Sequence, residues 1–477
     1  MITDRYDPMN LFELVPKLSL EMDAVLVGLD RLLDDDGLFQ RVKTDLARRY
    51  PNSLRLGRHS TPVEVILRLL VVRRLYDWSY EATEHFVSDS LVLRQFCRLY
   101  LEPAPDDTTL IRWAALIGPE TLVAINDHVV LLARQLRVTK GRKLRTDGTV
   151  VETSIAYPQD SNLLRDGVRT LSRLVGRAKP LIEAGMRTGM GTGLAAGMAG
   201  AGELFRNRTR SATRLARRIA EAARRRGEES EARRQTAYRR LLKVAEATLK
   251  QAETVQTALA ESKVAAGERL NGRLAQFVPL VRQVIRQTQR RVLDGEAVPA
   301  GEKIVSLFEP HSQIIRRGKV GKPTEFGRKV WLDEVDGGIV SSYRVLKGNP
   351  PEDREVAPSI ANHQRLFGHP PDLFAADRGV HSAENELSLK QAGVKQVALP
   401  KPGLKSTERQ THERQGWFRR AMRFRAGMEG RISVLKRRGY LGRCRDHGED
   451  GFGRWVGLGV ITANLATIAR VQAAHAH

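Results

Sequence analysis

The chain has 477 residues and carries 79 Lys and Arg against 55 Asp and Glu, a net charge of +24, with an isoelectric point near 10.4. A length of this order allows about three domains, and a composition of 41% hydrophobic and 6% aromatic residues excludes intrinsic disorder as the dominant state. So large a basic excess repels itself in a compact fold, which calls for a polyanionic partner, nucleic acid first; a merely basic surface is the plainer alternative.

Cys97 and Cys444 are the two cysteines, too few for a cysteine zinc cluster or a disulfide framework, and they fit a reducing cytoplasm. The opening MITDRYDPMN lacks the basic-then-apolar layout of a signal peptide. The longest uncharged apolar run lies between Arg454 and Arg470 and holds 15 residues. That is short of the ~20 needed to span a bilayer, so it reads as a buried helix. A cytoplasmic protein with no membrane partner is expected.

Residues 1–138 read as helical. Thr61-Pro62-Val63-Glu64 has a capping-box layout, with Thr61 as cap, Pro62 in the first helical position and Glu64 reaching back. Ile66, Leu69, Leu70 and Leu75 then mark one buried face. Ser79 and Asp107 open further short helices. The pattern suits a helix-turn-helix reader of DNA and equally a three-helix packing unit.

From Lys143 the texture changes. KLRTDGTVVET, 143–153, is rich in β-branched residues and predicts a strand. A long excursion, 169–300, is helical and Arg-rich, and Tyr238, Leu242, Ala245, Leu249, Ala252, Val255 and Leu259 form an amphipathic stripe in it. The arginines of LARRIAEAARRRGEESEARRQ fit a solvated face or a DNA contact. GMRTGMGTGLAAGMAGAG and GKVGKPT both miss the spacing of a nucleotide-phosphate loop. Two strands follow around a turn at Asp336-Gly337-Gly338, then a helix at SIANHQRLFG and a strand, Leu373–Ala376, that stops at Asp377. A helix from Ser382, a strand at Gln396–Leu399 and a helix over 416–438 complete an alternating α/β half.

Asp147 lies inside the first strand, sharing a pleat face with Arg145, Thr149 and Val151. An acid in a central strand is costly unless paired or bound to metal. Asp377 ends a strand, where ligands of α/β sheets gather, although a strand-end aspartate also caps turns. Met422, Arg425, Glu429, Ile432 and Lys436 share one helical face. That face is either a metal-holding carboxylate between phosphate-binding cations or a surface ion-pair ladder of little worth. Gly427 and Gly430 would let a backbone or DNA come close. Glu152 points to the opposite pleat face, Asp333 and Asp336 read as turn residues, and Asp160 and Asp166 as part of a polar break. His381 either orients a ligand or enters a helix.

DGTVVETSIAYPQDSNLLRDGV, FGRKVWL, LFAADRGVHS and RAGMEGRISVLKRRGYLGR occur in an order that resembles bacterial insertion-sequence DDE transposases, the ISNCY-type group most closely. The likeness extends to STPVEVILRLLVVRRLYDWSYEATEHFVSDSLVLRQFCR and PDDTTLIRW. It implies an α+β protein with a helical N-terminal DNA-binding region (1–138), a discontinuous ribonuclease-H-like catalytic core (139–168 and 301–477) and a helical insert (169–300). The implied metal ligands and catalytic residues are Asp147, Asp377 and Glu429, holding two Mg²⁺ ions for which Mn²⁺ substitutes. Arg425 and Lys436 match the family's helix motif as DNA-phosphate contacts, with Met422 standing where Tyr is expected. Arg378 is a further expected phosphate contact and His381 a possible orienting group. Cleavage at insertion-sequence ends and strand transfer into target DNA by a homodimer follow as expectations. Basic segments of the N-terminal region and HSQIIRRGK, 311–319, would bind the terminal inverted repeats. The rivals are a ribonuclease-H-like nuclease or resolvase without strand transfer, and a non-catalytic DNA-binding protein derived from a transposase.

Overall fold

A computed structural model describes residues 21–48, 52, 61–187, 205–260, 264–316 and 323–475. The expectations for MITDRYDPMN, for the glycine-rich stretch beyond residue 187, for GKVGKPT as far as residue 322 and for the end of HSQIIRRGK lie outside these residues.

Seven helices open the described chain: α1 Ala24–Leu33, α2 Asp36–Ala47, α3 Val63–Leu75, α4 Tyr80–Asp89, α5 Leu91–Phe96, α6 Asp107–Ala114 and α7 Pro119–Gln135. Strand β1, Lys143–Glu152, follows them. Helices α8 Asp160–Arg187, α9 Thr209–Ala223, α10 Glu228–Ala260 and α11 Ala265–Thr288 come next, then β2 Gln313–Arg316, β3 Thr324–Val335 and β4 Ile339–Val345. The remainder alternates: α12 Val356–Phe367, β5 Leu373–Ala375, α13 Ala383–Gln391, β6 Gln396–Ala398, α14 Thr407–Arg414, α15 Gly416–Arg437 and α16 Gly448–His475. The chain divides into two compact units, 1–154 with 327–477 and 155–326. The protein is α+β.

In the first unit the strands run β4-β3-β1-β5-β6. β1 is antiparallel to β3, with Asp147 opposite Leu332, and parallel to β5, with Arg145 beside Ala375. β3 and β4 are antiparallel, β5 and β6 parallel. Alternation along the strands sends side chains to two layers. Leu144 and Trp331 join a core made with α1–α7, while Val151, Val330 and Leu332 join another with Met428 and Leu435 of α15. The β3–β4 hairpin turns on Gly337 and Gly338, at φ 85° and 74°, a region that glycine enters freely. The Asp336 carboxylate accepts from the backbone N–H of Lys140 at 2.9 Å and Arg142 at 2.8 Å, tying this turn to the lead-in of β1.

Several local expectations are corrected. α3 starts at Val63, one residue after the expected Pro62. Glu64 accepts from Arg68 at 2.9 Å. Every residue of α3 except Leu75 is buried, because the helix runs through the core rather than laying one face on it. Asp333 is not a turn residue. It is buried in β3, where burial raises its pKa and Arg344 pairs with it at 3.0 Å. Asp160 begins α8 in the second unit and pairs with Arg291 at 2.6 Å.

Fully buried Arg68, Arg73 and Arg74 make α3 an electrostatic hub. Arg68 reaches Asp30 and Asp34, both at 2.7 Å. Arg73 pairs with Asp446 at 2.8 Å and lies over the Tyr80 ring. Arg74 donates to the carbonyls of Gly439 and Tyr440 and stacks on Trp455; burial, with Arg73 beside it, pushes its pKa down to about 9.

The apolar run of the C-terminal part belongs to α16, which is long and apolar enough by length and composition to cross a membrane. Here 72% of its most apolar window is buried within the protein, as expected of a core helix. Asn464 in it accepts from Val340 N–H at 2.9 Å and donates to the Val340 carbonyl at 2.8 Å, pairing the β4 backbone from inside the core.

In the second unit the expected α10 stripe is buried with α8, α9 and α11 around one core.

Gly459 of α16 lets Tyr440 approach, since a Cβ there would sit 2.0 Å from the Tyr440 carbonyl oxygen. Gly to Ala in a helix normally adds about 1 kcal/mol of stability, but overpacking costs ~1–3 kcal/mol. Gly459→Ala is therefore expected to lower the urea midpoint, and a raised midpoint would refute this close packing.

Candidate active site

The register of β1 and β5 builds the first half of the site. Arg145 and Ala375 are partners on parallel strands, so Asp147 and Asp377, each two residues further on, leave neighbouring strands on one face. α15 covers that face: Met428 and Leu435 pack with Val151, and Phe418 and Ala421 pack with Ala375. Glu429 and Arg425 of α15 thereby come to the two aspartates.

Arg425 lies among all three acids. Its guanidinium is 2.6 Å from Glu429, 3.2 Å from Asp147 and 3.9 Å from Asp377. Side-chain exposure rises from 14% at Asp147 through 33% at Asp377 to 66% at Glu429, so the site opens outward along α15. Asp377 also accepts from Gly379 N–H at 2.9 Å, the turn-capping role of a strand-end aspartate. Among the described residues, no group of three or more His, Cys, Asp or Glu is arranged to hold a metal ion.

Glu352 is a fourth acid, one that no motif in the sequence marks. It pairs with Lys329 at 3.1 Å, and its carboxylate is near enough to Gly148 that a Cβ there would lie 2.8 Å from it. A Cβ on Gly379 would lie 3.6 Å from its other oxygen. The short turn Glu352–Glu355 is held by Arg344, which bonds Glu355 at 2.9 Å and Asp333 at 3.0 Å. The signal in the residues is weak, an acidic EDRE run after two prolines that resembles any solvated turn.

The remaining expected residues separate. Lys436 donates to the Val150 carbonyl at 2.8 Å, fastening α15 to β1. Arg378 is exposed beside Asp377. His381 faces Glu386 at 3.5 Å, and Ser382, not His381, caps α13. Gly427 makes room for a side chain: a Cβ there would be 2.3 Å from the Arg145 guanidinium, which bonds Glu334 at 2.9 Å and the Phe424 carbonyl at 2.5 Å. Gly430 faces open space.

Burial raises the Asp147 pKa to about 6; Arg425 opposes the shift, and Asp377 and Glu352 add to it. The folded chain thus favours neutral Asp147. That stabilisation is complete below the ordinary value of 3.8 and is lost as pH rises through about 6. Asp147→Asn, neutral throughout, is expected to melt above the wild type at pH 8 in chelator, by roughly 2 °C or more, with the two converging near pH 4. A variant that melts progressively lower as pH rises would mean that the Arg425 pair outweighs burial.

Residues 14–116 match the family model described as Transposase domain (DUF772). No curated protein and no solved structure matches the chain. The matched segment includes α3 with its buried arginines, so the transposase-domain likeness lies in the helical N-terminal part, and residues 147, 377 and 429 lie outside it.

Proposed function

We propose that the chain is a DDE-type DNA transposase whose first unit holds a ribonuclease-H-like catalytic core, cleaving insertion-sequence ends and joining them to target DNA. One observation carries the reading: Asp147 and Asp377 leave adjacent parallel strands in register, and Glu429 from the covering helix meets them at a single cation. The transposase-domain match and the sheet order, antiparallel on one side of β1 and parallel on the other, support it. So does the +24 charge, which suits a polyanionic partner.

The donor set fits Mg²⁺. All three groups supply carboxylate oxygens, the donors that this hard ion takes, and they already gather round a positive charge. Asp147, Asp377 and Glu429 are the proposed holders, with Glu352 beside the aspartates. A pair of Mg²⁺ or Mn²⁺ ions held there would ease deprotonation of the attacking water or 3′-hydroxyl and offset the charge on the leaving oxygen.

The chain's own residues do the rest. Arg425 would withdraw from between the carboxylates, and its freed guanidinium, one turn from Glu429, would take a DNA phosphate. Exposed Arg378 offers a second phosphate contact beside Asp377. Lys436 serves chiefly to hold α15 on β1, with phosphate contact secondary. The partners proposed are terminal inverted repeats and target DNA, met by two copies of the chain.

The test is cleavage and joining of DNA carrying the element's ends, with and without Mg²⁺. Asp147→Asn, Asp377→Asn and Glu429→Gln should each abolish both steps and retain DNA binding, since each removes a charge at little steric cost. Wild-type cleavage in any of the three removes that residue from the site. Cleavage by the unaltered chain without joined product would make it a nuclease.

Lys436→Ala is expected to lose thermal stability through the missing bond to Val150, and Arg425→Ala to lose it in chelator as well, because three carboxylates are left without their shared cation; Arg425→Ala should in addition slow cleavage. Equal melting temperatures for Lys436→Ala and the wild type would return Lys436 to a purely DNA-facing role.

A further inference from the structure

The second unit carries a charged feature that the cleavage chemistry does not use. α9 and α10 pack through Ala212, Leu215 and Ile219 against Ala237, Leu241 and their neighbours, which leaves their outer faces in solvent. Where the two helices meet, a cleft of 890 Å³ is lined by Arg218, Arg224, Arg225, Arg226, Arg233 and Arg240, against only Glu221 and Glu229. All six arginines are exposed. Arg233 pairs with Glu229 at 2.5 Å. Among the described residues, no ion pair or side-chain hydrogen bond engages the other five.

Favourable placement at a helix C-terminus accounts for part of this pattern. It covers Arg224, Arg225 and Arg226 at the end of α9, because the dipole term fades within one turn. It does not reach Arg218, or Arg233 and Arg240 on the second helix. Guanidinium groups crowded round one cleft repel one another unless an anion lies between them. The exposed stripe continues along α9 through Arg217, Arg214 and Arg210, at steps of three and four that keep it on one side. An anion matching both the cleft and the stripe is extended and repeats its charge. Duplex DNA carries one charge per ~1.7 Å of axis and meets that description, whereas a single phosphate would satisfy the cleft alone.

We propose that the α9–α10 cleft is a binding site for the sugar-phosphate backbone of double-stranded DNA, holding the duplex without reading its sequence. The proposal shares with the transposase reading only that the partner is DNA. It is read in metal-free binding, so either can fail while the other stands.

The experiment measures fluorescence anisotropy of a labelled random-sequence duplex with the full chain in chelator, over a series of KCl concentrations. Arg218, Arg224, Arg225 and Arg240 are changed together to Gln. The control changes four exposed arginines of the same unit outside the cleft, Arg173, Arg177, Arg269 and Arg286, to Gln. The cleft variant should bind about tenfold or more weakly, with the slope of log affinity against log salt reduced by ~0.9 for each phosphate that is no longer neutralised. The control should remain within about twofold of the wild type, and a cleft variant carrying Lys at the four positions should keep most of the affinity, since its charge is unchanged. Circular dichroism melts verify folding of each variant. Equal weakening in cleft variant and control would reduce the effect to net charge and overturn the proposal. So would unchanged duplex affinity and slope, including the case in which the cleft variant loses only binding to an acidic polypeptide.

Discussion

Like charge brought together in a partly buried place is the constraint on which the α/β half of the first unit depends. Parallel pairing of β1 with β5 sets Asp147 and Asp377 side by side, and α15 carries Glu429 to the same point. Such a cluster is costly without a cation. The chain supplies one itself: Arg425, four residues before Glu429 on the same helical face, reaches all three acids. The supporting contacts fix the helix that delivers it. Arg145 passes under Gly427 to Glu334 and the Phe424 carbonyl, and Lys436 holds the far end to β1. Under the proposed function, metal binding at this place would be an exchange of cations, and the displaced Arg425 would be free for a phosphate.

The same economy governs the matched transposase-domain segment. A chain with this basic excess invites the view that its N-terminal arginines face DNA, yet Arg68, Arg73 and Arg74 are wholly buried. Arg68 meets Asp30 and Asp34 within the same segment, whereas the partners of the other two lie far along the sequence: Asp446 for Arg73, and the Gly439 and Tyr440 carbonyls and the Trp455 ring for Arg74. Breaking such a buried pair by removing one partner typically costs ~3–5 kcal/mol. The early helices and the C-terminal segment thus form one cooperative packing unit, and a net charge is no map of where the charge lies.

Much of this was legible in the residues. The β-branched 143–153 segment, the Asp336-Gly337-Gly338 turn, the Gln396 strand and the helix over 416–437 all lie where periodicity and turn chemistry put them, because these signals are local. The apolar stripe of α10 is buried as its spacing requires. What escaped depends on the third dimension. α3 reads as amphipathic if arginine counts as a surface residue, but its arginines find partners on other elements, Asp30 and Asp34 for Arg68, Asp446 for Arg73 and two carbonyls for Arg74. Asp333 sits close enough to a turn to pass as part of it, while its partners Arg344 and Ser359 belong to other elements. Glu352 enters the site through a turn anchored by Arg344, and no spacing rule links position 352 to 147. The convergence of Asp147, Asp377 and Glu429 was implied by family resemblance, whereas their shared arginine follows only from how α15 lies on the sheet.

The most direct test of the cation-exchange account is a calorimetric titration of Mn²⁺ into the full chain and into Arg425→Gln, without DNA. The account predicts saturable binding that tightens in Arg425→Gln, because no guanidinium then has to leave the carboxylates, and that disappears when Asp147→Asn and Asp377→Asn are combined. Weaker Mn²⁺ binding in Arg425→Gln, or binding that survives removal of both aspartates, would contradict it.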